Sequence, residues 1–94
     1  MPIGLITLKI HLPYAQSLKD KRMVLRKVKD RLRARFNVSV AELDHQDVWQ
    51  RSVVGVVSIS SDQQNLESVL QAVERESAHI LGGDLVGTET NFFE

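Results

Sequence analysis

Hydrophobic positions alternate with polar ones at the start of the chain and then recur with helical spacing. Alternation over residues 3–12 predicts a strand. In residues 18–36, apolar side chains fall within one arc of about 120°, which predicts an amphipathic helix facing a core. These side chains are Leu18, Val24, Leu25, Val28, Leu32 and Phe36. Ser17, with Asp20 three residues later, is typical of a helix start, and Asn37 is suited to a left-handed helix end.

The second half of the chain predicts two strands, a helix and a last strand. Residues 37–44 form the first of these strands, and the valine-rich residues 51–60 have apolar side chains for both faces, which is typical of a central strand. Asp62 can cap a helix that the glycine pair 82–83 ends. The apolar positions of this helix are Leu66, Val69, Leu70, Val73, Ser77 and Ile80. Residues 85–93 predict the last strand.

This order of elements predicts the fold. Each strand–helix–strand half needs a right-handed crossover, and two interleaved halves give a ferredoxin-like βαββαβ sandwich. We therefore expect residues 1–94 to form a single α+β domain with a four-stranded antiparallel sheet and both helices on one face. The expected spatial order of the strands is four, one, three, two.

The composition excludes several classes of protein. The chain has 94 residues and no cysteine, so disulfides, thiolate metal sites and cysteine nucleophiles are excluded. No apolar run approaches the roughly 20 residues that a membrane span needs. No basic-then-apolar leader begins the chain. We expect a cytoplasmic protein without membrane contact.

The charges are strongly segregated although 12 basic and 12 acidic residues cancel. In residues 17–36, nine bases against two acids give +7, and three bases against ten acids give −7 in the rest of the chain. Five of the bases are spaced by three or four residues and form a basic stripe beside the apolar arc. The basic stripe is Lys19, Arg22, Arg26, Lys29 and Arg33. Such a stripe matches repeated phosphates, so RNA backbone is a candidate partner.

Two further observations bear on this hypothesis. The first and third strands have no aromatic side chain on which RNA bases could stack, so contact with the backbone alone is expected. The alternative is that the basic helix pairs with acids of the second helix, which are Glu67, Glu74 and Glu76. The basic face would then be solvated or internally paired. A second hypothesis is a protein-interaction module that forms a homodimer and binds no nucleic acid, with the basic helix docked on an acidic partner or on its own acidic helix.

Catalytic chemistry has little support in the sequence. The three histidines lie in separate segments without a partner at metal-ligand spacing. A polar cluster after the second strand could hold a hard cation or act in acid–base chemistry, but a solvated hairpin is the favoured interpretation. This cluster is Glu42, Asp44, His45 and Asp47. We predict no catalytic residue, metal site or cofactor.

A homodimer is expected from the sheet. If Val53, Val57 and Ile59 face the helices, then Leu5, Val54 and Val56 form an uncovered apolar patch on the other face. The second strand, an expected edge, also has no lysine or proline to prevent pairing with another strand. A homodimer could therefore form by face packing or by edge pairing. The alternative is that the patch is covered by the C-terminal residues Phe92 and Phe93.

Three segments together resemble one known family. They are residues 17–22 (Ser-Leu-Lys-Asp-Lys-Arg), residues 35–42 (Arg-Phe-Asn-Val-Ser-Val-Ala-Glu), and residues 49–51 (Trp-Gln-Arg) with Gly55. The chain is similar to the YlxP-like family of small bacterial proteins of unknown function. The resemblance implies a ferredoxin-like fold and no established reaction. Family members often lie near genes for translation initiation and ribosome maturation factors, which implies an RNA or ribosomal-particle partner. Glu42 and Gln50 lie in these segments without a physical explanation.

Overall fold

The computed structural model describes residues 2–94 and confirms the predicted fold. The strands are β1 (Ile3–His11), β2 (Ser39–Asp44), β3 (Arg51–Ile59) and β4 (Leu85–Phe93). The helices are α1 (Leu18–Arg35) and α2 (Gln63–Leu81), and a short 3₁₀ turn, Gly82–Asp84, follows α2. The sheet order is β2-β3-β1-β4, and every neighbouring pair is antiparallel. Within residues 2–94, neither helix is long and apolar enough to cross a membrane.

The helix ends follow the predicted signals with one exception. Ser17 caps α1 by accepting a hydrogen bond of 3.0 Å from the backbone N–H of Asp20. Gly82 ends α2 with φ of 55° and ψ of −131°, a backbone conformation that favours glycine. The left-handed conformation predicted for Asn37 is wrong. The chain leaves α1 through an extended Phe36 with φ of −132°. Residues 37–38 then lead into β2, and the Asn37 carbonyl accepts a hydrogen bond of 2.7 Å from the Ser58 hydroxyl.

The core lies between the sheet and the two helices. Alternate residues of β1 point towards the helices, and the apolar arcs of α1 and α2 close over them. The fully buried aliphatic side chains, with 0% exposure, are Ile6, Leu8, Leu12, Ala15, Val28, Leu32, Val54, Val56, Leu66 and Val73.

The outward direction predicted for Val54 and Val56 is wrong. Residues directly opposite each other on antiparallel strands share a face, and the register places Val54 opposite Leu8 and Val56 opposite Ile6. Both valines therefore belong to the core. Because β3 has apolar residues at both sets of alternate positions, its own pattern could not decide which set faces the helices.

The face of the sheet away from the helices, called here the open face, has a different apolar patch. Leu5 lies there as predicted and is half-buried. Opposite it lies Val57, and Ile3 pairs with Ile59 on one side and with Phe93 on the other. We call these five residues the apolar end of the open face. Phe93 contributes to the patch without covering it, since 52% of Phe93 remains exposed.

Candidate nucleic-acid interface

The two flanks of α1 place their basic residues in different surroundings. On the flank facing α2, Arg31 donates to the Glu76 carboxylate at 3.1 Å, and Arg35 donates to the other oxygen of the same carboxylate. Pairing between the helices is therefore present at these two arginines. Glu74 contributes nothing to it and instead accepts a hydrogen bond of 3.0 Å from the Thr88 hydroxyl.

The other flank of α1 faces the edge strand β2 and has the basic stripe. Four of its five members line a groove of about 450 Å³ between α1 and β2, together with Leu25, Asp30 and Glu42. These four are Arg22, Arg26, Lys29 and Arg33. Lys19 is exposed nearer the start of the helix, outside the groove lining. Among residues 2–94, no member of the stripe forms a salt bridge with a carboxylate.

Arg33 fixes the far end of this α1–β2 groove. Its Nη2 donates a hydrogen bond of 3.0 Å to the carbonyl of Val40 in β2, which ties the last turns of α1 to the edge strand. A carbonyl has no net charge, so this contact does not neutralise the positive charge of Arg33. The groove is therefore a fixed and net positive surface.

Lys21 is one of the basic residues of α1, but its side chain lies in the interior. Only 1% of its surface is exposed, and its Nζ donates to the Glu42 carboxylate at 2.9 Å and to the His45 carbonyl at 2.7 Å. Longer bonds reach the carbonyls of Gln46 and Arg51 at 3.4 and 3.3 Å. A buried charge persists only when it is paired and hydrogen-bonded in this way.

This network explains one motif residue that the sequence left unexplained. The Glu42 carboxylate accepts a hydrogen bond of 2.6 Å from the Ser52 hydroxyl in addition to the bond from Lys21. Glu42 therefore joins α1, β2 and β3. The burial of Lys21 could have been found from its spacing, because it lies four, seven and eleven residues before the core residues Leu25, Val28 and Leu32.

The second unexplained motif residue, Gln50, connects two loops. Its Nε2 donates to the carbonyls of Pro13 and Ala15 at 3.2 and 3.3 Å, which holds the β2–β3 loop against the β1–α1 loop. Tyr14 lies in the β1–α1 loop, and its hydroxyl donates a hydrogen bond of 2.9 Å to the Asp84 carboxylate. Burial and this carboxylate raise the pKa of Tyr14 above its ordinary value.

The side chains of the polar cluster, which are Glu42, Asp44, His45 and Asp47, do not converge on one point. Glu42 turns inward to Lys21, while a carboxylate oxygen of Asp44 accepts a hydrogen bond of 2.7 Å from the backbone N–H of His45. Across the described residues 2–94, no group of three or more histidine, aspartate or glutamate side chains is arranged to hold a metal ion.

Comparison with known proteins identifies the family. A family model described as "Protein of unknown function (DUF503)" matches residues 3–89. The chain belongs to this family. It is also 44% identical over 59 residues to "Uncharacterized protein YlxP" of Bacillus subtilis (strain 168), a stretch that covers 63% of this chain and 64% of that relative. The aligned stretch thus spans less than two thirds of the relative. Together with the family model, this relative confirms the YlxP-like resemblance.

Solved structures confirm the fold of this DUF503 chain. A de novo designed protein with ferredoxin fold, LFR1 1, is similar with a TM-score of 0.55 at 8% identity, over 99% of this chain and 83% of that one. A putative antibiotic biosynthesis monooxygenase from Bordetella bronchiseptica is similar with a TM-score of 0.58 at 11% identity, over 100% and 97% of the two chains. At such low identity these likenesses concern the fold alone.

Proposed function

We propose that this protein binds the sugar–phosphate backbone of RNA along the α1–β2 groove. The observation that carries the proposal is that the groove's cations, within residues 2–94, have no carboxylate partner, whereas the arginines on the opposite flank share one. Like charges on one helix face repel one another. A polyanion lying along the groove relieves that repulsion and releases its own counterions.

The dimensions of the basic stripe favour a polymer over a small anion. From Lys19 to Arg33 the helix rises about 21 Å, at about 1.5 Å per residue. A single phosphate can contact only one turn of such a stripe, whereas a nucleic-acid strand presents phosphates along its whole length. The resemblance to the YlxP-like family, with the link to translation and ribosome maturation genes that it implies, supports a cytoplasmic RNA or a ribosomal particle as the partner.

Contact through phosphates predicts how the affinity depends on salt. Four neutralised phosphates of a single strand correspond to a slope of about −3 in log affinity against log salt. The affinity should therefore fall about 50-fold between 50 and 200 mM salt. Because phosphate contacts do not read bases, unrelated RNA sequences should bind about equally well.

The test compares two double charge reversals of equal size. Arg22→Glu with Arg26→Glu changes the groove, while Lys27→Glu with Arg75→Glu changes exposed positions outside it. In gel shifts with a single-stranded RNA at 50 mM salt, the groove variant should lose at least about tenfold in affinity. The control should stay within about twofold of the wild type.

Circular dichroism of both variants checks that the fold is retained. Equal affinities of the two variants would contradict the groove as the binding site. Absence of RNA binding by the wild type at 50 mM salt would contradict the function itself.

We propose a second, independent property, a weak homodimer formed through the apolar end of the open face. Ile3, Val57, Ile59 and Phe93 are 37–52% exposed and adjoin one another across three strands. A two-fold axis through this patch would place it against itself and cover it with apolar surface of the same kind. A patch of so few side chains corresponds to the low end of interface sizes, where association is weak.

Sedimentation equilibrium over a wide concentration range tests the dimer. The wild type should shift from monomer towards dimer as its concentration rises, and Val57→Glu with Ile59→Glu should remain monomeric because unpaired charges at the contact cost several kcal/mol. Ser61→Glu, with Ser68→Glu, adds the same charge at exposed positions off the open face and should dimerise like the wild type. A wild type that stays monomeric at millimolar concentration contradicts this proposal.

A further inference from the structure

The open face has a second feature at the end opposite to the apolar end. There the sheet and the β2–β3 loop surround an open depression of about 660 Å³. Its lining combines two fixed cations, two imidazoles and two aliphatic walls. These residues are Lys9, Arg51, His11, His45, Val53 and Val86. We call this depression the cationic pocket.

The sheet register brings the charged side chains together. His11 lies directly opposite Arg51, and Lys9 lies opposite Val53. Positions two apart on a strand point to the same face, so Lys9 and His11 both line the open side. The stem of Lys9 crosses β4 above Gly87, where a Cβ would lie only 3.5 Å from the lysine Cδ.

Irregular backbone on two sides of the cationic pocket, at the β1–β4 bulge and at His45, completes its lining. The register of β1 with β4 shifts between Lys9 and Ile10, and this bulge turns Val86 out to 62% exposure. On the other side His45 has a left-handed backbone with φ of 62°. This conformation is uncommon for a residue other than glycine and persists only where the surroundings hold it.

The surroundings that hold it are the buried network around Lys21. Its Nζ donates to the carbonyls of both His45 and Arg51, at 2.7 and 3.3 Å, so one buried cation fixes the backbone of two pocket residues from below. Ser52, which lies between Arg51 and the pocket wall at Val53, is held by Glu42 at 2.6 Å. The pocket is therefore preorganised, which lowers the cost of binding a ligand.

The charge of the pocket is not balanced by neighbouring acids. The lining contains no carboxylate, and within residues 2–94 neither Lys9 nor Arg51 forms a salt bridge. The nearby Asp44 carboxylate accepts the backbone N–H of His45. Glu89 lies opposite Thr7, one residue pair further along the open face than Lys9.

We propose that the cationic pocket binds a small phosphate monoester, with the phosphate among the four basic side chains and an apolar body against Val53 and Val86. A guanidinium fork, an ammonium and two imidazoles offer more donors than the two oxygens of a carboxylate can accept. The three terminal oxygens of a phosphate monoester match them better. The volume also lies within the range of small-molecule pockets, about 300–1,000 Å³.

Phenyl phosphate is the probe, since it joins a phosphate to a compact apolar body. In ¹⁵N-resolved NMR titrations it should cause saturable shifts at the amides of Lys9, His11, His45 and Arg51. Inorganic phosphate and benzoate, which each lack one half of the probe, should bind at least about fivefold more weakly. The pair Lys9→Gln with Arg51→Gln should lose at least about tenfold in affinity for phenyl phosphate, whereas Lys27→Gln with Arg75→Gln should retain it.

The same variants separate this site from the RNA groove. Lys9→Gln with Arg51→Gln should bind RNA like the wild type, and Arg22→Glu with Arg26→Glu should bind phenyl phosphate like the wild type. Shifts that are unsaturated at 20 mM phenyl phosphate, or that persist unchanged in the Lys9 and Arg51 variant, would overturn the proposal. Loss of RNA binding in that variant would overturn the assignment of a separate small-molecule site.

Discussion

The two flanks of α1 have the same kinds of residue but opposite electrostatic outcomes. Towards α2, a single carboxylate, Glu76, engages both Arg31 and Arg35. Towards β2, Arg22 and Arg26 line a groove whose cations find no carboxylate partner within residues 2–94. The difference shows that the charge of a helix segment does not determine whether its cations are paired. The side chains that the neighbouring element presents determine it.

Lys21 marks the boundary between the two flanks, since it lies on the buried side of the same helix. Of the substitutions proposed for this chain, removing the Lys21 amine should have the largest effect on stability, because the Glu42 carboxylate would stay largely buried without its cation. Lys21→Met keeps most of the side-chain volume and should lower the free energy of unfolding by about 3–5 kcal/mol. Urea denaturation followed by the fluorescence of Trp49, the single tryptophan of the chain, measures this loss.

Lys19→Met is the matched control, because Lys19 is exposed on the same helix. Its free energy of unfolding should change by no more than about 0.5 kcal/mol. Adding Glu42→Gln to Lys21→Met should restore part of the lost stability, since no unpaired charge then remains buried. Equal losses for the Lys19 and Lys21 variants would show that the buried network does not stabilise the fold.

A smaller effect should distinguish the two flanks by RNA affinity. Glu76→Gln and Asp30→Asn each remove one negative charge, but Asp30 lines the α1–β2 groove and Glu76 lies on the other flank. Asp30→Asn should raise the affinity about threefold at low salt, and Glu76→Gln should raise it by less than about twofold, because exposed charges beyond a Debye length are screened. Gel shifts at 50 mM salt measure both.

Glu76→Gln should also cost the fold about 1 kcal/mol, since the two arginines that it releases are about half exposed. An equal rise in RNA affinity for both substitutions would indicate that net charge, and not the groove, governs binding.

The sequence predicted those features that depend on local periodicity. The alternation in β1 and the apolar arc of α1 each have one apolar side, so their buried faces were predicted correctly. β3 has two apolar sides, and only its register with β1 decides that Val54 and Val56 are buried. That register is a property of the assembled sheet and could not be predicted from the pattern of one strand.

The candidate site was predictable in part for the same reason. The basic stripe follows from helical spacing alone. That its members form no salt bridge within residues 2–94 depends in part on α2 placing Glu76 on the other flank. Likewise, the roles of Glu42 and Gln50 depend on partners 10 to 37 residues away in the chain. Such contacts leave no periodic signal in a single sequence.

The hydrogen bonds that hold the β2–β3 hairpin to α1 and to the β1–α1 loop have a consequence for engineering this protein. Surface loops ordinarily accept inserted peptides and tags, and residues 46–50 are exposed enough to invite one. Because the Gln46 carbonyl accepts a hydrogen bond from Lys21 and the Gln50 side-chain amide donates to carbonyls of the β1–α1 loop, an insertion there would disrupt these contacts with the interior. The exposed turn between β3 and α2, around Ser61, is the safer place for a label.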